Sequence, residues 1–475
     1  MSGDIVVAID QGSHASRAVA FDQRGQRLAA ALQTIGTSHN ALGHLEHDAE
    51  ELVATVRGCL DDLAAQVPAS HWSAAGLATQ RSTVVCWDRA SGRALSPAIS
   101  WRDRRQSAWL ARLDRHAQEV HALTGLPLSP HYGASKLRWC LDHLPAVRAA
   151  RAAGTLCAGP LSSFLLFRLL REQPFLADPA NASRTQLWSP QTRDFHAGLL
   201  DLFGVPRAVL PLPALTQQRF GTLVVGDHEI PLMACTGDQA AVPFARGALE
   251  PGAAYLNIGT GAFVLRAISQ PLAAAPLLTS VLCAHGASID YVLEGTVNGA
   301  MAALDEFATG EGVAVDELLA AIDDNESIAA HAPFFLNGVG GLGAPFWAPD
   351  FRSRFEGNGT VRDRFRAVIE SIAFLVRANL DEMGRHLRPP AQLITTGGLS
   401  RNRLLRRLLS RLTGAPVACA AETEATARGL AFLAARQPRD WDPGRVETVQ
   451  PVTDQVQQAR YVKWLELMQS GIAHR

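Results

Sequence analysis

Apolar and polar positions along the chain fall into short strand-like runs punctuated by turn residues, and into longer stretches with helical spacing. Ile5–Ile9 is an apolar run, Asp10-Gln11-Gly12-Ser13 is turn chemistry, and Arg17–Phe21 returns to a strand pattern. From Glu50 to Leu63 apolar residues recur on one helix face. Strands are predicted near Ala74–Ala78 and Val84–Trp87, the second closed by the turn signal Asp88–Gly92. The strand–turn–strand pattern recurs about 250 residues later at Ala254–Leu265, with Gly259-Thr260-Gly261 at its turn. Arg362–Arg385 predicts a long amphipathic helix, since Phe365, Val368, Ile369, Ile372, Leu375, Val376 and Leu380 share a face. It leads into a strand at Leu393–Thr396 that ends in Gly397-Gly398, and a further helix begins near Arg401. Strands alternating with helices predict an α/β layer architecture with ligand sites at strand ends. Two similar hairpins predict two related halves, and Pro243, Gly247, Pro251 and Gly252 place the boundary near Asp238–Pro251, giving domains 1–242 and 243–475.

Composition narrows the chemistry. The chain has 475 residues, long enough for two large domains, and a formal net charge of −1 gives no overall reason to bind nucleic acid or an anionic membrane. Only Lys136 and Lys463 are lysine, following Ser135 and Val462, so the Gly-Lys-Ser/Thr of a P-loop is excluded. The strand lysine of protein kinases has no counterpart either. Seven scattered cysteines with no C-x-x-C pair predict buried, reduced thiols. The first residues lack a basic-then-apolar leader, and no apolar stretch approaches the roughly 18–20 residues of a membrane helix, so a cytoplasmic protein is expected.

A hairpin whose turn carries glycine and small hydroxyl residues can direct backbone N–H groups at a phosphate. Asp10 is a candidate for holding hydrated Mg²⁺, a hard cation that prefers carboxylate and water oxygens, and Arg17 for neutralising phosphate charge. Two such hairpins, one at Gly12-Ser13 and one at Gly259–Gly261, together with the Gly397-Gly398 strand end, suggest ATP held between two lobes.

The motifs A-I-D-Q-G-S-H-A-S-R-A-V-A-F-D (8–22), G-H-L-E-H-D (43–48), Q-R-S-T-V-V-C-W-D (80–88) and W-R-D-R-R (101–105) resemble, in order, those of glycerol kinases in the FGGY carbohydrate-kinase family. T-G-L-P-L-S-P-H-Y-G-A-S-K-L-R-W (124–139), N-A-S-R-T (181–185), T-G-D-Q-A-A (236–241) and N-I-G-T-G-A-F (257–263) continue the series. G-L-G-A-P-F-W-A-P-D (341–350), E-S-I-A-F (370–374) and T-G-G-L-S-R-N (396–402) complete it. The resemblance implies two ribonuclease-H-like domains of the actin and hexokinase type with ATP in the cleft between them. It implies ATP- and Mg²⁺-dependent phosphorylation of a primary hydroxyl on a small polyol or sugar, and a homodimer or homotetramer.

Residue by residue, the resemblance makes Asp238 the general base and places Asn402 in the adenosine site. It puts Arg81, Ser82, Trp101, His131, Gln239 and Phe263 with Asp238 around the acceptor. Two of these depart from the glycerol-kinase pattern: Ser82 stands where a glutamate follows the arginine, and His131 where a tyrosine stands. Those departures open the acceptor to another polyol, a ketopentose or a sugar acid, and leave a non-catalytic nucleotide-binding regulator as the competing class. Ser13-His14-Ala15 replaces a hydroxyl-rich turn, Leu399 follows the paired glycines where a small residue is usual, and the Gly-Gly-x-Arg loop for fructose 1,6-bisphosphate is not visible. Other signals are set aside. The G-x-G-x-x-G at 338–343 is followed by Pro345 and Trp347 and not by a helix. His44 and His47 read as a polar loop, Asn181-Ala-Ser183 as an unused sequon, and the arginines of 401–411 as a solvated helix face. Lys136 reads equally as a ligand contact or as a bridge between surface carboxylates.

Overall fold

The computed structural model describes residues 4–39, 42–322, 329, 331–420 and 424–473. Two large mixed sheets organise it, and they share a plan. In the first, the hairpin Ile5–Gln11 and Ala15–Phe21 is extended by Arg27–Thr34 on the outer side of its second strand. Trp72–Thr79 and then His228–Gly237 are added in parallel on the other side of its first strand, and Gln217–Val225 closes that edge. In the second sheet the hairpin is Ala253–Ile258 with Ala262–Ile268, extended antiparallel by Ser288–Val297. Gln392–Thr396 and then Val417–Ala420 follow in parallel beyond its first strand. Leu278–His285 and Val446–Val449 form the outer edges. Three antiparallel strands followed by two parallel ones, in the same spatial order, therefore occur twice.

Burial follows position in each sheet. All seven residues of Ile5–Gln11 are buried, as expected of a central strand covered on both faces, whereas Arg27–Thr34 at the edge is mostly exposed. The helix Ala49–Gln66 begins where Asp48 accepts hydrogen bonds from the N–H groups of Glu50 and Glu51, and buries Leu52, Val56, Leu60 and Leu63 against the first sheet. The helix Val361–Gly384 opens with a reciprocal capping box between Thr360 and Asp363 and packs on the second sheet. All seven cysteines are free and buried. No helix among the described residues is long and apolar enough to cross a membrane.

Several local expectations are corrected. Asp10 and Gln11 belong to the first strand, and the turn is confined to the residues after them. The segment from Gly398 to Arg401 is a tight 3₁₀ turn, and the helix runs Arg403–Thr413. On that helix Arg406 is buried and pairs with Glu447 at 3.0 Å, so its arginines do not all face solvent. Lys136 is buried, not a surface bridge: its ammonium donates to the carbonyls of Ser82 (3.1 Å) and His131 (2.7 Å). His47 is buried with Nδ1 at 2.9 Å from the Gly36 carbonyl, and Asn181 is buried on the short helix Pro179–Ser183.

Candidate active site

The two hairpins present their turns at matching ends of the two sheets. In the first, Gly12 N–H donates to the Ala15 carbonyl at 3.0 Å, and Asp10 faces Arg17 across the pairing, 3.8 Å from its guanidinium. Burial pushes the Asp10 carboxyl up to about 7, Asp238 pushes the same way, and Arg17 only partly opposes them. In the second, Gly259 N–H donates to Gly261 O at 2.8 Å, and Thr260 O accepts from the N–H groups of Ala300 and Ala302. A β-carbon on Gly261 would lie 2.7 Å from the Val297 carbonyl, so the turn tolerates only glycine there. Gly397, at φ +86°, has the same constraint from the Ile258 carbonyl at 2.5 Å, because its strand ends beside that of the hairpin. Gly398 is exposed next to it. Asn402 uses Oδ1 to cap the helix Arg403–Thr413 through the Leu405 N–H, at 2.8 Å. Ser13 is also engaged: its hydroxyl donates to Gln80 Oε1 (3.2 Å) and accepts from Trp101 Nε1 (2.8 Å). Those contacts join the first hairpin to Trp101 and Gln80.

Asp238 opens a short helix directly after the strand His228–Gly237, and its Oδ1 accepts the Gln239 N–H at 2.7 Å. Burial raises its carboxyl above the usual aspartate value, while Arg81, with Nε 3.7 Å from Oδ1, holds the rise in check. Glycine precedes Asp238 for a packing reason: a β-carbon on Gly237 would stand 2.6 Å from Cγ of Arg81. The Arg81 guanidinium also lies over the Phe263 ring at 5.7 Å, and Trp101 meets His131 edge-on at 5.5 Å. Burial and the cations Lys136, Arg104, Arg184 and Arg81 drive His131 well below the usual imidazole value, so it is neutral. Gln239 accepts from Asn257 of the second sheet at 2.9 Å. Ser82 sits at φ +65°, with its hydroxyl buried and without a partner among the described residues.

Contacts thus link Asp238, Arg81, Gln239 and Phe263 in one group, and Trp101, His131 and, through Lys136, Ser82 in a second that reaches the first hairpin at Ser13. The structure adds residues that the sequence reading gave no role. Glu294, on Ser288–Val297, bonds both terminal nitrogens of Arg81 (3.1 and 3.3 Å) and one of Arg184 (2.5 Å). Arg184 also donates to Ser280 Oγ. The signal for Glu294 was a single charge inside the apolar run Tyr291–Val297, and for Arg184 its place in N-A-S-R-T.

The N-terminal domain of the FGGY family of carbohydrate kinases matches residues 5–256 and its C-terminal domain residues 254–437. The chain belongs to the FGGY family of carbohydrate kinases. It is 34% identical over 446 residues to a glycerol kinase of Trichlorobacter lovleyi, covering 90% of this chain and 89% of that one. It is 36% identical over 451 residues to a glycerol kinase of Alkalilimnicola ehrlichii, covering 91% and 90%. In fold it matches Plasmodium falciparum glycerol kinase solved with ADP, with a TM-score of 0.89 at 21% identity over 98% of each chain. It matches a xylulose kinase of Rhodospirillum rubrum with a TM-score of 0.86 at 20% identity over 99% of this chain and 98% of that one. As an FGGY kinase it transfers a phosphoryl group from ATP to an alcohol of a polyol or sugar.

Proposed function

We propose that the acceptor is a small polyol or sugar phosphorylated on a primary hydroxyl, with Asp238 as the general base. The observation that supports this reading is a half-buried carboxylate 3.7 Å from Arg81, bonded to the Gln239 N–H, and close enough to Asp10 of the first hairpin to raise its carboxyl. Phosphoryl transfer asks little covalent work of a protein, so positioning, charge neutralisation and acceptance of the acceptor's proton dominate. Arg81 hydrogen-bonds an acceptor hydroxyl, Trp101 and Phe263 flank its carbon skeleton, and Oδ of Asp238 takes the proton of the attacking hydroxyl. Arg17 and the backbone N–H groups of Ser13, Thr260 and Gly261 face the phosphates, Gly12 and Gly259 close the two turns through their own N–H groups, and Gly397, Gly398 and Asn402 lie on the adenosine side. Closing the two lobes excludes water and limits hydrolysis of ATP.

The residues also fit Mg²⁺. Asp10 is a buried carboxylate whose proton affinity is raised by burial and by Asp238, and a divalent cation offsets both effects. One protein carboxylate with phosphate and water oxygens is a usual Mg²⁺ donor set, and the bound ion would neutralise phosphate charge there. Asp10 is the residue that holds it in this reading. The test is ADP release, by a coupled assay with MgATP, against glycerol, dihydroxyacetone, erythritol, xylulose, ribulose and gluconate. Stimulation by at least one of them is expected. ATP binding with no stimulation by any of them would leave the nucleotide-binding regulator.

A further inference from the structure

Arg81 is the cation of the acceptor pocket, yet what fixes it comes from the other lobe. Its side chain is 10% exposed and that of Glu294 1%, so the pair is removed from water. The two terminal nitrogens of Arg81 meet the two carboxylate oxygens of Glu294, a fork-to-fork arrangement that specifies direction as well as charge. This grip turns the Nε edge of the guanidinium toward Asp238, at 3.7 Å. Arg184, 3% exposed, holds the same carboxylate from the side and is itself tied to Ser280. The residue next to Arg81 in the chain, Ser82, offers it no charge. A free guanidinium at this place would have one other carboxylate to seize, that of Asp238, and would then block the base with the fork that an acceptor hydroxyl requires.

We propose that Glu294 is the positioning residue of the acceptor site: it anchors both terminal nitrogens of Arg81, so that only the Nε edge faces Asp238 and the fork of the guanidinium does not capture the base. The assignment rests on the kinase reading above. It makes acceptor binding, not nucleotide binding, the property that depends on Glu294. Arg184 serves as the second cation that keeps the buried carboxylate balanced, since an unmatched charge there is strongly destabilising.

The test compares wild type with Glu294→Gln and with the double variant Glu294→Met/Arg184→Met, in which no buried charge is left unmatched. The acceptor is whichever of glycerol, dihydroxyacetone, xylulose and gluconate has the highest kcat/KM with wild type. ATP affinity is followed separately by tryptophan fluorescence, and folding by thermal melting. The acceptor KM is expected to rise at least tenfold in both variants, with kcat also reduced and ATP affinity within twofold of wild type. An acceptor KM within twofold of wild type in folded Glu294→Gln overturns the proposal. Recovery of the acceptor KM in the double variant overturns it as well, because Glu294 would then serve only to balance Arg184. If wild type phosphorylates none of the four while binding ATP, the kinase reading falls and this assignment with it.

Discussion

Replacing Asp238 by asparagine separates the base from the scaffold. Asparagine has the same shape and keeps an Oδ1 acceptor for the Gln239 N–H, which the native carboxylate accepts at 2.7 Å. What it removes is a charge that the fold tolerates poorly, since burial raises the Asp238 carboxyl despite Arg81 at 3.7 Å. An aspartate whose native value lies above its unfolded value weakens the fold once the pH exceeds the unfolded value. At neutral pH the substitution therefore leaves the melting temperature unchanged or raises it. Catalysis moves the other way. A positioned base contributes about 10²–10⁴-fold, equivalent to about 3–5 kcal/mol of transition-state stabilisation. Steady-state kcat by coupled ADP release, with thermal melting on the same preparation, tests both halves. Retention of more than about a tenth of wild-type kcat would refute the base assignment. A markedly lower melting point would show that the carboxylate is a structural cap, not a tolerated charge.

Three further outcomes follow from the site. Gly237→Ala places a β-carbon 2.6 Å from the stem of Arg81, an overpacking that typically costs about 1–3 kcal/mol, and Arg81 cannot swing aside without leaving Glu294. A higher acceptor KM with a lower melting point is expected, and no change in either would show that the stem is free to move. Trp101→Phe keeps the wall but removes the N–H bonded to Ser13 at 2.8 Å, a loss of about 0.5–1.5 kcal/mol or up to roughly tenfold in affinity. KM should rise for ATP as well as for the acceptor, and a rise for the acceptor alone would contradict the link between wall and hairpin. In EDTA, native Asp10 keeps its proton up to about pH 7 against 3.8 when unfolded, so the native state carries the extra proton between those values. Stability then falls as pH rises through that window, and Asp10→Asn should melt increasingly above wild type from pH 4 to 7 and by a constant margin beyond it. Parallel melting curves across that range would rule out the raised carboxyl.

Much of the fold was legible because its signals are local. The hairpins announce themselves by apolar runs broken by glycine, and the same pattern at Ala253–Ile258 and Ala262–Ile268 gave the duplication. Family motifs carried the candidate site residues, and contacts link Arg81 to Asp238 and Phe263, and Trp101 to His131. What stayed hidden depends on partners distant in the chain. Glu294 lies 213 residues from Arg81 and 110 from Arg184, and no spacing rule connects them. Lys136 read equally as a ligand contact or a surface bridge, and its helix packs so that its side-chain nitrogen reaches the carbonyls of Ser82 and His131. Arg406 shares a helix with the exposed Arg403, and the strand Val446–Val449 brings Glu447 to it. Ser13 read as a phosphate contact, and only the packed structure shows its hydroxyl claimed by Trp101 and Gln80.

These contacts tie the proposed acceptor residues to both sheets. Arg81, Arg184 and Gln239 stand on the first lobe, and each is held by a residue of the second, Glu294, Ser280 or Asn257. Parting the lobes would have to separate a carboxylate from both its arginines, and breaking such a buried pair typically costs about 3–5 kcal/mol unless water replaces the lost partners. The ion cluster is also insensitive to pH. Burial alone would raise the Glu294 carboxyl, but Arg184 and Arg81 more than reverse it and hold it below the usual glutamate value. The carboxyl raised to about 7 is instead that of Asp10, and burial also raises that of its neighbour Asp238 above the usual aspartate value. An acid limb in the activity profile consequently belongs to proton acceptance and phosphate binding, and lobe closure through Glu294 should persist below it.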